Sequence, residues 1–189
     1  DIGCGMVAMK TSLTDISQEE IKKLFGGTAE NHGGIRELIP VGFNHQDKKC
    51  DESEMPTVTD ELIVSAEYES ARKQLGTLGG GNHFLEIQKG SDGFIWIMIH
   101  SGSRNLGLQV AKHYNIFARN MNGKYFSSVP LSRDLAFLPL DSTEGQAYIK
   151  EMNYCVEFAS RSRRKMMKTV MGAMESMFSG IMFGGLLES

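Results

Sequence analysis

Leu75-Gly76-Thr77-Leu78-Gly79-Gly80-Gly81-Asn82-His83-Phe84-Leu85-Glu86-Ile87 decides the fold, together with Trp96-Ile97-Met98-Ile99-His100-Ser101-Gly102-Ser103-Arg104 shortly after it. The first stretch opens on a glycine run, where the backbone takes positive φ and comes close to a ligand. An apolar run follows, with Asn82 and His83 at its mouth. Lys89-Gly90-Ser91-Asp92-Gly93 supplies a turn, and a second apolar run ends on His100. Two such runs around a glycine-containing turn predict a hairpin. The start of one strand then lies beside the end of the other. Both imidazoles are therefore expected at one edge of the sheet.

Working outward, the chain's 189 residues are enough for a substantial core and point to one domain. A formal charge of −3 gives no global attraction for nucleic acid, so polyanion binding has to come from a local patch. Cys4, Cys50 and Cys155 are odd in number and far apart. They form neither a disulfide framework nor a paired metal knuckle, which suits a reducing compartment. No apolar run of about 18 residues and no signal-peptide pattern is present, so a cytoplasmic protein without a membrane span is expected. The chain begins with Asp1 rather than Met. Either its start was processed or it is a piece of something longer.

Asp1-Ile2-Gly3-Cys4-Gly5-Met6 sets a carboxylate and a thiol three residues apart. In a turn both can point at one metal ion; the other reading is a buried cysteine beside a turn aspartate. Ser17 and Glu20 form a capping box, with Ile16 and Ile21 at staple spacing and Gly26 as the stop. From Gly27 to Pro56 the pattern is poor, predicting a surface excursion with His32 and His45 solvated. A helix is expected from about Thr59 to Leu75, burying Leu62, Ile63 and Ala66, with Gly76 as its stop.

Asn105 begins an amphipathic helix striped by Leu106, Val110, Tyr114, Phe117 and Met121 and closed by Asn122-Gly123. Its N-terminal amides would favour an anion such as phosphate beside His100, while His113 in its middle is structural. A loop with Pro130 and Pro139 leads to Asp141 or Ser142, which caps a long helix to about Phe178. Tyr148, Met152, Cys155, Val156, Ala159 and a methionine-rich continuation from Met166 to Met177 form its apolar face. Arg161, Arg163, Arg164, Lys165 and Lys168 are read as a solvated face, or alternatively as a phosphate-contacting stripe. The apolar, glycine-broken end from Gly180 to Leu187 suits a chain that continues.

Asp1, Cys4, His83 and His100 together offer a carboxylate, a thiolate and two imidazoles, a plausible set for a borderline transition metal. Softness favours Zn²⁺ over Mn²⁺ at a thiolate, so the residues alone do not name the metal. Asn82 can donate to an oxyanion, and Arg104 can hold phosphate bidentately. Metal, arginine, glycine loop and helix N-terminus point to phosphoryl chemistry. The glycine run lacks the ending of a P-loop and does not follow a strand as a dinucleotide fingerprint does. His100-Ser101-Gly102-Ser103 is no nucleophile elbow.

The motifs DIGCGM, LGTLGGGNHFLEI, WIMIHSGSRNLG, LSRDLAFLPL and EMNYCVEFASRSRRKMM closely resemble the RtcB family of RNA-splicing ligases, in the family's order and over nearly the whole chain. The resemblance implies an α+β fold, with mixed β-sheets flanked by helices around a metal cleft. It implies one RtcB-like domain over residues 1–189, incomplete at both ends. The implied activity is GTP- and Mn²⁺-dependent joining of RNA 3′-phosphate or 2′,3′-cyclic phosphate ends to 5′-hydroxyl ends through a histidine–GMP intermediate, in tRNA splicing and RNA repair. Asp1, Cys4, His83 and His100 match metal ligands, with the Cys4 thiolate between two Mn²⁺ ions. Asn82 matches the asparagine that contacts the guanylate phosphate, and Arg104 a catalytic arginine at the RNA phosphate. The implied partners are tRNA halves or broken RNA ends, GTP and an archease-type activator.

The chain also departs from the family pattern. A third metal histidine and the guanylylated histidine belong downstream of Ser189, and a further segment belongs upstream of Asp1. None of His32, His45 and His113 sits in a motif that could substitute. The expectation is a fragment inactive on its own. The alternatives are a non-catalytic metal- or RNA-binding remnant and a metal-dependent phosphatase or nuclease. The reading frame on either side separates ligase from remnant.

Overall fold

The computed structural model describes residues 2–27, 33–57, 61–124, 130–133 and 135–189. Its described strands are β1 (Gly5–Lys10), β2 (Phe84–Lys89), β3 (Ile95–Ser101) and β4 (Leu187–Glu188). Its described α-helices are α1 (Gln18–Gly26), α2 (Ile35–Leu38), α3 (Leu62–Gln74), α4 (Arg104–Asn122) and α5 (Thr143–Met177). The class is α+β, as expected. In place of mixed sheets, the described strands form one antiparallel sheet in the order β2-β3-β1-β4. The expected hairpin is β2–β3, with Phe84 opposite His100. Strand β1 joins it from far away in sequence, with Met6 opposite His100.

One face of the sheet is apolar because β-strand side chains alternate. Val7 and Met9 of β1 and Ile97 and Ile99 of β3 pack with Met166, Met167, Val170 and Met174 of α5. Burying each such side chain is worth about 1.5–3 kcal/mol. A second cluster joins Val64, Ala71 and Leu75 to Leu106, Val110 and Tyr114 of α4 and to Tyr154, Cys155 and Phe158 of α5. Helix α5, 35 residues long, therefore supports the sheet with its second half and α3 and α4 with its first.

The helix starts follow local chemistry. The Ser17–Glu20 capping box forms, and Ser142 accepts from the Gly145 amide at 3.0 Å. At α3 the N-cap residue Glu61 makes no side-chain cap, and no other local cap is found among the described residues. Instead the buried carboxylate of Glu151 on α5 accepts from the amides of Ile63 at 2.6 Å and Val64 at 2.8 Å. The expected start near Thr59 lies outside the described residues.

Several expectations are corrected. The buried face of α3 is Val64 and Ala71, continuing to Leu75, while Leu62 is 67% exposed and Ala66 is exposed too. The stretch 27–56 is only partly a surface excursion: it holds α2 and buries Ile35, Ile39, Cys50 and Met55. Its apolar residues come in short groups that no strand or helix period reveals. On α5, Val156 is exposed while Tyr154 and Phe158 are core. Arg163 is buried rather than solvated, and the rest of the basic stripe is largely ion-paired: Arg161 with Glu157, Arg164 with Glu188 and Lys165 with Glu54. The glycine-broken tail folds back, and β4 lies antiparallel on β1. Among the described residues no helix is long and apolar enough to cross a membrane.

Candidate functional site

Strand alternation sends Ile95, Ile97 and Ile99 into the core and leaves Trp96, Met98 and His100 on the opposite face. His83 stands just before β2, and its ring centroid lies 5.7 Å from that of His100, edge to face. Phe84 stacks on His100 at 5.5 Å. The turn before β1 brings the exposed Cys4 to the same place. Its Sγ lies 3.1 Å from His100 Nε2 and 3.6 Å from His83 Nε2. Three of the four expected metal donors therefore converge; Asp1 lies outside the described residues. Among the described residues, no three His, Cys, Asp or Glu donors are arranged to hold an ion by themselves.

The orientation of His83 is set from behind. Its Nδ1 lies 3.1 Å from the Leu78 carbonyl, which can only accept, so Nδ1–H donates to it and the Nε2 lone pair faces Cys4. The same carbonyl accepts from Ser101 Oγ at 2.8 Å, tying the glycine loop to the end of β3. Burial, helped by the nearby Arg104 guanidinium, holds the His83 imidazole below its ordinary value, so it is neutral at pH 7. The Nδ1 of His100 is buried, with no hydrogen-bond partner among the described residues.

Arg104 begins α4 at φ 60°, a conformation strained for a non-glycine residue. Its Nε donates to Thr77 Oγ1 at 3.1 Å and its Nη2 to the Gly42 carbonyl at 2.5 Å. Burial pushes its pKa below the usual arginine value. The guanidinium is thus held by protein oxygens beside His83, rather than spread over solvent. The α4 amide expected to face an anion is also engaged: Asn105 N–H donates to Gln74 Oε1 at 3.1 Å. Asn82 is exposed next to His83.

A cleft of about 500 Å³ opens beside these groups, lined among others by Phe43, His45, His83, Arg104 and Asn105. Phe43 and His45 are exposed at its lip, and His32 lies outside the described residues. The contribution of Gly42 and Phe43 was missed because residues 27–56 show no period. Their visible signal was Pro40-Val41-Gly42, a turn sequence that anchors to Gly79 through the Gly42 amide at 2.8 Å. His113 packs against Tyr114 at 5.0 Å on α4, a structural role. Cys155 is buried with its thiol pushed up to about 12, which makes it inert.

The sequence as a whole matches a known protein family. The model of tRNA-splicing ligase RtcB matches residues 1–183. RNA-splicing ligase RtcB of Escherichia coli is 32% identical over 193 residues, covering 93% of this chain and 46% of the relative. The tRNA-splicing ligase RtcB of Methanococcus maripaludis is 29% identical over 226 residues, covering 94% of this chain and 45% of the relative. That of Aeropyrum pernix is 29% identical over 204 residues, covering 87% and 42%. The chain spans less than half the length of these relatives. Because the family model matches the chain along almost its whole length, the chain belongs to the tRNA-splicing ligase RtcB family.

Proposed function

We propose that this chain carries the metal-binding part of an RNA ligase. The reaction joins an RNA 3′-phosphate or 2′,3′-cyclic phosphate end to a 5′-hydroxyl end, with GTP and Mn²⁺, through a histidine–GMP intermediate. The observation that carries the reading is Cys4 Sγ between the Nε2 atoms of His83 and His100, at 3.6 and 3.1 Å. Metal–ligand bonds of about 2.0–2.3 Å set donors about 3–4 Å apart, so this spacing fits donors that share an ion. Cys4, His83 and His100 would hold the metal, with Asp1 as the fourth donor of the set.

Bound there, the metal supplies Lewis-acid stabilisation of charge on a phosphoryl oxygen. The remaining roles fall to residues around it. His83 is kept neutral by its burial, and its ring is turned by the hydrogen bond that Nδ1–H donates to the Leu78 carbonyl. Arg104, clamped by Thr77 and Gly42, presents a fixed positive charge at the cleft for an RNA phosphate. Asn82 is free of burial and can donate to the guanylate phosphate.

The test is sealing of a 3′-phosphate RNA to a 5′-hydroxyl RNA by the uninterrupted reading frame that contains these residues. The expected result is product from the parent and none from Cys4→Ala or Arg104→Ala. Product undiminished in both variants overturns the proposal.

A further inference from the structure

The three donor side chains sit on three separate backbone segments, and one turn of α5 holds all of them. Ser162 Oγ accepts from the Gly76 amide at 3.0 Å, at the base of the loop that leads to His83. Its neighbour Arg163 has a side chain only 5% exposed. Arg163 Nη1 donates to the carbonyl of Gly3 at 2.8 Å and to that of Ser101 at 3.0 Å. Gly3 immediately precedes Cys4, and Ser101 immediately follows His100. The fit is close: a Cβ on Gly5 would stand 3.0 Å from Arg163 Nη2, and one on Gly3 would stand 2.9 Å from Val156 Cα.

One nitrogen shared between two carbonyls fixes the spacing of the segments that own them. Arginine suits this task, because its planar fork donates in fixed directions and its charge is permanent. A buried cation needs a counter-charge, and Glu188 of β4 provides it at 3.3 Å from Nη2. Glu188 is held in turn by Ser160 Oγ at 2.6 Å and Arg164 Nε at 2.8 Å.

We propose that Arg163 is a positioning residue of the Cys4–His83–His100 site: it sets the distance between Cys4 and His100, and Glu188 orients it. Pairing of β4 on β1 is thereby coupled to the geometry of the site. The consequence for metal affinity rests on the metal reading above; the spacing itself does not.

Two readouts on the 189-residue chain separate the two claims. One is Co²⁺ titration followed by the thiolate-to-metal absorption band. The other, without metal, is the rate of Cys4 alkylation by iodoacetamide, which is selective because Cys50 and Cys155 are buried. Arg163→Lys is expected to keep the parent circular dichroism, to weaken Co²⁺ binding about 10–100-fold, and to change the alkylation rate severalfold. Glu188→Gln should move both readouts the same way by less, and the double variant should be no worse than Arg163→Lys alone. Glu151→Ala, which destabilises α3 away from the site, should leave both readouts at parent values and so exclude a general loss of stability as the cause. Folded Arg163→Lys with parent values in both readouts overturns the proposal. If Arg163→Lys does not fold, parent values in Glu188→Gln overturn it. Absence of any Cys4-dependent band in the parent counts against the metal reading alone, and the alkylation rate then decides on Arg163.

Discussion

At Gly79 φ is +95°, and an added Cβ would lie 2.6 Å from Arg104 Cζ and 2.7 Å from His83 Nδ1. This residue therefore needs the absence of a side chain twice over, for its conformation and for the guanidinium packed on it. At Gly81 φ is +70° but nothing lies within 4 Å of an added Cβ. The two substitutions should separate strain from displacement. Gly81→Ala costs only the left-handed backbone, about 1–2 kcal/mol, and should leave metal binding intact. Gly79→Ala adds the collision with Arg104 and His83, and should lower both stability and metal occupancy, as thermal melts and elemental analysis would read. Equal effects at the two positions would contradict the packing described here. Cys4 gives the companion prediction at this scale. It is the donor common to both imidazole contacts, so Cys4→Ala should remove most of the Mn²⁺ or Zn²⁺ found in the purified chain. Equal metal in parent and variant would dismiss Cys4 as a ligand. The convergence of His83 and His100 was legible in the sequence because a hairpin sets the start of one strand beside the end of the other. Arg163 was not, because a buried arginine inside a basic run looks the same as its solvated neighbours until the carbonyls it serves are in place.

Among elements, the hairpin β2–β3 is locked at its turn by Asp92. The carboxylate pairs with Lys10 Nζ at 2.8 Å and accepts from Trp96 Nε1 at 3.2 Å and from the Phe94 amide at 3.2 Å. Lys10, with the help of these donors, holds the Asp92 carboxyl at about 2. A carboxyl depressed in the folded state contributes stability that is complete above its ordinary value of 3.8 and is lost as the pH falls towards 2. Trp96 is the sole tryptophan, so its fluorescence should titrate with a midpoint near 2 while the fold persists, and Asp92→Asn should abolish that step. A midpoint at an ordinary aspartate value would refute the lock. Helix α3 supplies a second prediction. Glu151 satisfies two of its first amides from another helix, and a buried amide left unpaired costs about 1–3 kcal/mol. Glu151→Ala should therefore lower Tm by about 2–4 °C for each kcal/mol lost; an unchanged Tm would mean that solvent caps α3 instead. Elements with a strong local signal, such as the Ser17 box, the hairpin and the long methionine-rich α5, were readable in advance. The inner face of α3 was only partly placed: Ile63 packs on the core, whereas Leu62 and Ala66 are exposed and the smaller Val64 and Ala71 are buried. Strand β1 was read only for its donors, since its pairing with β3 depends on residues some ninety positions away.

For the whole molecule, the sheet and α5 form a rigid support on which thiol and imidazoles meet, while the relatives it matches are more than twice as long. Four of the five described α-helices and the β2–β3 hairpin followed from local pattern, whereas α2 and the antiparallel pairing of β1 with β3 and β4 did not, because strand partners distant in sequence leave no local mark. Covalent guanylyl transfer needs an activated nucleophile beside its electrophile, and phosphate binding alone does not replace it. The described histidines are already committed: His83 and His100 contact Cys4, and His113 packs on Tyr114, while His45 is exposed on the lip of the cleft. The 189-residue chain, given radiolabelled GTP, Mn²⁺ and RNA with 3′-phosphate and 5′-hydroxyl ends, should form no protein–GMP adduct. A longer version that supplies the guanylylated histidine of the proposed route should form one, and Asn82→Ala in that version should remove it. Denaturing electrophoresis reads the result directly. A labelled band from the 189-residue chain would identify His32, His45 or His113 as a nucleophile and would shift the catalytic centre from the Cys4 edge of the sheet to the side of the molecule that bears it.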